Sequence, residues 1–328
     1  MSLRLLIAAL LAAAPLAAAD LQRLTVSTPD GPRLALVALP DGPPRPGRPL
    51  VLLFHGHMGS AANTLGQGRL PASPLAAWRP IADREGVVVA ALDGARGTDG
   101  KQGWNDGRPG DAGNPTTDDV AFARAVVARL QAEQHTDPAR VCAMGMSNGG
   151  VFSLRLAREP GLPLAAVAAV CASLPGDRTP PPPPRPVSVL LVAGTEDPLM
   201  PYAGGQVHFY EKRRGAVLGT EATLAYWREA DRLRGQPVVE ALPHSRERRA
   251  RGEDTRLVRS TWGPAAGPQV QLLKVEGGGH CEPSLAHRLG WLYTKVCGPQ
   301  NHDAETAEEA WRFFRDKRSS GAEQLRRP

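Results

Sequence analysis

The chain has 328 residues, of which 42% are hydrophobic and 22% charged, and it carries a formal net charge of +6. That balance excludes a disordered chain and leaves enough apolar material for a substantial core. Much of the positive charge lies in His244–Arg259 (HSRERRARGEDTRLVR) and in the tail EQLRRP. Acidic residues are mixed into the first stretch and no aromatic residue interleaves, so both read as solvated surface and no nucleic-acid partner is expected.

The first nineteen residues read as a signal peptide. Arg4 supplies the positive start, Leu5–Leu16 is an apolar run interrupted by Pro15, and Ala17-Ala18-Ala19 fits the small-x-small cleavage rule before Asp20. The run is shorter than the roughly 20 residues of a spanning helix, and no cysteine follows it to carry a lipid. The expectation is a secreted or periplasmic protein without a membrane anchor after cleavage, its residues 20–328 forming one catalytic domain.

From there apolar runs alternate with helical patterns. RLTVS and RLALVAL read as an antiparallel edge hairpin, Leu50–Phe54 as a buried strand and Val87–Leu92 as another. Thr116–Glu133 has helical spacing. Thr116 or Thr117 can cap it, Asp118 and Asp119 suit its positive end, and Val120, Ala123, Val127 and Leu130 share a face. VCAM then reads as a strand, and a helix starts at Gly149. Further strands are expected within LAAVAAVCASL, at Val187–Gly194 and at Val270–Val275, with a closing helix over Asp303–Lys317 that buries Ala307, Ala310, Trp311 and Phe314. The proline run Pro180–Pro184 reads as a stiff connector. Near-continuous apolar strands separated by helices predict an α/β fold, a mostly parallel central sheet with helices on both faces.

Four cysteines are present, and export permits disulfides. Cys281 and Cys297 bracket a short segment and can pair. Cys142 and Cys171 sit in strand-like runs, as small core residues or as a second pair. The spacing does not suggest a zinc site.

In open parallel sheets functional residues gather at the carboxyl ends of the strands, and four segments of interest fall there. Gly145-Met146-Ser147-Asn148-Gly149 is a G-x-S-x-G pattern between a strand and a helix, the context in which a serine is held on a sharp turn as a nucleophile. LLVAGTEDPLMPY ends a strand and presents Glu196 and Asp197. Asp197, fixed before Pro198, is the preferred acid to orient a histidine. VEGGGHCEPS turns through three glycines to His280. The chain order Ser147, Asp197, His280 is that of the α/β-hydrolase fold. LLFHGHMGS follows an early strand, where a backbone N–H completes an oxyanion hole. Asn148 and His57 are the expected donors, with Met58 as the alternative to His57. A strand-His-x-His pattern also opens metal sites in amidohydrolase barrels, but the later strand ends offer Ser147, Asp197 and His280 rather than further ligands.

Taken together, FHGHMGS, GWNDG, TDDVAFARAVV, GMSNGG, GTEDPLMPYAGG and GGGHCEP resemble the exported polyhydroxybutyrate depolymerase and feruloyl or acetylxylan esterase group of α/β-hydrolases (carbohydrate esterase family 1-like), over about residues 50–317. The resemblance implies Ser147 as nucleophile, His280 as base and then acid, and Asp197 as the orienting acid. It places Trp104 of GWNDG near the site, on the substrate or as a buried anchor of its loop. It also implies a carboxylic ester substrate, whether small molecule, oligomer or polysaccharide side chain, and no cofactor or metal. Members of the group often carry a tryptophan two residues after the histidine, whereas here Cys281, Glu282 and Pro283 follow. The loop after the first His-Gly holds His57 and Met58 instead of cysteine or further glycine, so the substrate pocket is expected to be unusual. A prolyl-oligopeptidase-type serine peptidase shares the catalytic order, and a secreted binding protein without turnover shares the fold; these are the alternative readings.

Overall fold

Five strands, β3 (Arg48–Phe54), β4 (Val88–Leu92), β7 (Thr136–Met146), β8 (Ala166–Val170) and β9 (Ser188–Gly194), supply the most apolar stretches of the chain, and β3, β4, β8 and β9 are buried at every position. A strand can be buried on both sides only if layers cover both faces of its sheet. The computed structural model, which describes residues 20–68, 73–108, 113–176, 179–209, 212–244 and 254–320, has that arrangement. The expected signal peptide, residues 245–253 of the basic stretch and the tail from 321 lie outside the described residues.

Among the described residues ten strands form one sheet in the order β1-β2-β4-β3-β7-β8-β9-β14-β13-β12. Here β1 is Asp20–Thr28, β2 Gly31–Leu39, β12 Val238–Ala241, β13 Arg256–Trp262 and β14 Val270–Glu276, while β5 (Ala95–Arg96) and β6 (Gln102–Gly103) pair with each other in a separate two-stranded ribbon. The run from β4 to β14 is parallel and the outer strands are antiparallel. RLTVS and RLALVAL form the expected edge hairpin, paired from Asp20–Leu39 to Thr28–Gly31.

Alternate residues of each central strand enter opposite cores. Leu50, Leu52, Phe54 and Ala143 pack with Phe122 and Val126 of helix α3 (Asp119–Gln134), Phe152 of α4 (Asn148–Leu156) and Trp227 of α5 (Thr220–Ala230). Val51, Leu53, Met144 and Val192 pack on the other face with Ala61 of α1 (Ala61–Thr64), Trp78 and Ile81 of α2 (Trp78–Glu85), and Trp311 and Phe314 of the closing helix (Thr306–Phe314).

The helix expected from Thr116 starts at Asp119. Its cap is Asp118, whose carboxylate accepts the Ala121 N–H at 2.9 Å, and neither Thr116 nor Thr117 caps it. Asp119 turns inward, where it accepts from Arg33 (2.9 Å) and from the Asn105 N–H (2.7 Å). An antiparallel hairpin of β10 (Gly204–Phe209) and β11 (Lys212–Leu218) was not foreseen, since its polar, glycine-rich sequence lacks an alternating apolar pattern. Nor was helix α6 (Trp291–Cys297), which exposes Trp291, Leu292, Tyr293 and Val296 rather than burying them.

Candidate active site

At the carboxyl end of β7 the backbone makes a sharp reversal into α4. Ser147 occupies it with φ 54° and ψ −121°, a conformation that side-chain-bearing residues rarely adopt and that here persists because its surroundings hold it. Its N–H donates to Val170 O (2.8 Å) at the end of β8, and its carbonyl accepts from Val151 (2.9 Å). The flanking glycines make the turn possible. A Cβ on Gly145 would lie 2.1 Å from Gly149 O, and one on Gly149 would lie 2.3 Å from Phe54 O and 2.5 Å from His55 O. The helix can therefore press against the sheet only with hydrogen at both positions.

The loop after β3 approaches the same turn. His55 is buried, with Nδ1–H donating to Gly56 O (2.7 Å) and Nε2 accepting the Gly94 N–H (2.9 Å). Burial pushes its pKa down to about 4 despite the Gly56 hydrogen bond, so the ring is neutral, and both of its nitrogens are spent on backbone. His57 Nε2 lies 3.0 Å from Asp99 Oδ2, and Arg214 of β11 donates to the same oxygen at 2.7 Å, tying the unforeseen hairpin to this loop. Burial pushes the Asp99 carboxyl up, but the hydrogen bonds from Arg214 and the Lys101 N–H outweigh it and leave the group below its usual range. The Met58 N–H, at φ 68°, is committed to Gln102 O (2.8 Å), which withdraws Met58 as an oxyanion donor.

Trp104 presents no surface to solvent. It is fully buried, stacked on Phe152 (5.3 Å between ring centroids) and edge-on to Phe54 (5.1 Å), with Nε1–H donating to His55 O (2.8 Å). Of the two readings of this residue, its burial agrees with the anchor of the loop and leaves no exposed ring surface for a substrate contact. A large aromatic beside a crowded glycine turn serves as packing, because removing it from water and satisfying its indole N–H leave no surface to offer. The anchor works together with the side chain of Asn148, which accepts the Trp104 N–H at 2.8 Å and donates to Asp106 Oδ2 at 2.6 Å. Asp106 also takes Arg108 Nε (2.8 Å) and Asn114 Nδ2 (3.0 Å). GWNDG is thus a clamp on the residue that follows Ser147. Asp99, Asp106 and Arg214 were missed as site residues. Asp106 lay in a quoted motif, whereas nothing in the sequence pairs Asp99 with Arg214.

Two strands along, β9 ends at Gly194 and the chain turns through exposed Glu196 to buried Asp197. Asp197 Oδ1 accepts two backbone N–H groups, from Leu199 (2.8 Å) and Met200 (2.7 Å), while Oδ2 lies 2.7 Å from His280 Nδ1. Asp197, not Glu196, therefore meets the histidine. His280 follows β14 and its N–H donates to Cys297 O at 2.5 Å, which ties it to the end of α6. Ser147 Oγ and His280 form no hydrogen bond among the described residues.

All four cysteines are buried thiols, so the expected Cys281–Cys297 bridge is not formed; Cys281 Sγ instead donates to Gly298 O (3.3 Å). Burial pushes all four thiols up, Cys142 to about 12. Glu282, where the resembled group often has tryptophan, is buried with a Ser73 hydroxyl at 3.3 Å, and burial pushes its carboxyl up to about 8.

Comparison with known proteins agrees with this geometry. Residues 77–173, which include the Ser147 turn, match the prolyl oligopeptidase family. The chain is 33% identical over 292 residues to the protein named esterase NocK of Nocardia uniformis subsp. tsuyamanensis, covering 85% of this chain and 78% of that one. It is 27% identical over 254 residues to feruloyl esterase B of Piromyces equi, covering 75% of this chain and 42% of that longer protein. A thermostable esterase of known structure shares the fold at a TM-score of 0.50 and 16% identity, over 91% of this chain and 63% of the other. A parallel sheet flanked by helices, with a serine held on a glycine turn and an acid–histidine pair at later strand ends, is thus combined with close similarity to NocK along most of both chains, and the protein belongs to the esterases of the α/β-hydrolase family, serine hydrolases of carboxylic esters.

Proposed function

We propose that the chain is an exported serine esterase in which Ser147 is the nucleophile, His280 the base and then the acid, and Asp197 the group that orients the ring. Asp197 Oδ2 fixes the proton on His280 Nδ1, so that Nε2 carries the lone pair. His280 Nε2 takes the Ser147 proton as Oγ attacks the ester carbonyl. The developing oxyanion is held by the N–H groups of Asn148 and His57. His280 then protonates the leaving alcohol, and a water activated by the same ring releases the acid from the acyl-serine.

The observation that carries this reading is the Ser147 turn, with φ 54° between two glycines whose Cβ positions are occupied by backbone. The proposed substrates are polyhydroxyalkanoate oligomers, or feruloyl and acetyl esters of sugars. The name of the Piromyces equi relative supports the feruloyl alternative. The exposed apolar side chains of Trp291, Leu292, Tyr293 and Val296, on the helix whose end holds His280, support an apolar acyl or aryl group. Export rests on residues 1–19 alone.

The test is hydrolysis of short p-nitrophenyl esters by the purified protein and by Ser147→Ala, with 3-hydroxybutyrate oligomers, feruloyl sugars, acetylated xylan and a proline-containing peptide run beside them. Ester turnover lost in the variant is the expected result. Equal turnover by Ser147→Ala sinks the assignment, and cleavage of the peptide in preference to every ester transfers it to the peptidase reading.

A further inference from the structure

Beside the Asp197–His280 pair stands a third donor that the esterase reaction does not use. Cys171 is the first residue after β8, in the left-handed region with φ 47°, and its N–H is fixed to Val192 O (2.7 Å). Non-glycine residues rarely adopt this backbone conformation, and those that do cluster at active sites and ligand clamps. It sets the thiol so that one ligand atom each of Cys171, Asp197 and His280 lies within 4.8 Å of the others, all three residues being buried. The Cys171 S–H points to Gly279 O at 4.0 Å.

The geometry points to an inhibitory site for a borderline or soft divalent cation such as Zn²⁺ or Cd²⁺, formed by Cys171 Sγ, Asp197 carboxylate and His280 Nδ1. Thiolate, imidazole and carboxylate are the donor types such ions take. With metal–sulfur bonds near 2.3 Å and metal–nitrogen bonds near 2.0 Å, tetrahedral donors stand roughly 3.5 Å apart, so the ion draws the thiol in by about 1 Å and opens the 2.7 Å Asp197–His280 contact by a similar amount. The proton balance explains the inhibition. The ion displaces the Cys171 thiol proton, which leaves to solvent. It also takes the lone-pair position on Nδ1, so the ring proton moves to Nε2. A ring protonated on Nε2 has nothing with which to accept the Ser147 proton. The inhibition rests on the catalytic roles proposed above; the binding does not.

The experiment titrates the reduced full-length protein with Cd²⁺ and separately with Zn²⁺, following the ultraviolet cadmium–thiolate band and ester hydrolysis in parallel. One equivalent of band and a matching loss of turnover are expected. In Cys171→Ala the band disappears and the concentration for half-inhibition rises by about tenfold or more, as expected when a ligand is lost. Cys171→Ser serves if the alanine variant does not fold. Cys281→Ala and Cys297→Ala keep both responses. The proposal is overturned if the wild type shows no band, if both Cys171 variants keep band and sensitivity, or if the band is lost with Cys281 or Cys297 instead. Labelling of Ser147 by a fluorophosphonate, measured without metal, tests the esterase reading separately, and the band reads the site even in a protein without turnover.

Discussion

Asp197 is held so that its two oxygens are not equivalent. Oδ1 accepts two backbone N–H groups, and only Oδ2 is left for His280. An asparagine at this position must keep its carbonyl oxygen toward the two N–H donors, which turns its NH₂ toward Nδ1. That group can only donate, so the ring carries its proton on Nε2 and loses its function as base. Asp197→Asn is therefore expected to fold normally by circular dichroism and to lose roughly 10³–10⁴ in kcat for p-nitrophenyl esters. A loss of less than tenfold contradicts the proposed role of Asp197. At this scale the sequence was most legible where a residue type has one chemistry in one context. A serine between glycines after a strand, an aspartate before proline and a histidine after a glycine turn were all found by type and order. Trp104 was ambiguous because a large aromatic serves equally well for packing and for binding; only its burial decides.

Among the elements, the turn from β7 into α4 is set by contact distances rather than by helix propensity. Gly149→Ala places a methyl 2.3 Å from Phe54 O, a clash that must move either the helix or the strand that precedes His57. Both flank the proposed oxyanion donors. The expected outcome is a lower melting midpoint together with a fall in kcat of about tenfold or more, given the sensitivity of such donors to small displacements. Gly290→Ala is the control, because a Cβ there meets nothing within 4 Å and its φ of −64° suits alanine. It should leave kcat unchanged and stability within about 1 kcal/mol. Similar effects of the two substitutions would remove the steric argument. The strands of the parallel core were readable because burial on both faces leaves unbroken apolar runs. The hairpin of β10 and β11 was not, because it is held by an ion pair between Arg214 and Asp99, residues distant in sequence that leave no periodic pattern. The apolar residues of α6, Trp291, Leu292, Tyr293 and Val296, face solvent, and in sequence such a run reads like one that faces a core.

For the molecule as a whole, groups buried at different places set opposing slopes of stability against pH. The folded pKa of His55, about 4, lies below its ordinary 6.5. Below pH 6.5 the unfolded chain takes up a proton that the folded chain refuses, so this stabilisation is present above 6.5 and is lost as pH falls through 4. Asp231 has the opposite sign. It sits at the end of α5, accepts the Val187 N–H at 3.3 Å through Oδ1, and buries Oδ2 without a partner among the described residues. Burial raises its carboxyl from 3.8 to about 7, against the opposing Val187 hydrogen bond. The folded chain therefore holds a proton that the unfolded chain releases, and stability falls as pH rises from 3.8 through 7. Asn at this position keeps an acceptor for Val187 and never ionises. Thermal unfolding of Asp231→Asn beside the wild type is expected to show a higher midpoint for the variant at pH 8, with the difference narrowing as pH is lowered to 5. His55 destabilises both proteins equally on the acid side, so it cancels from the difference. A gap that stays constant across the range would mean that shape or hydrogen bonding, not the buried charge, separates the two side chains.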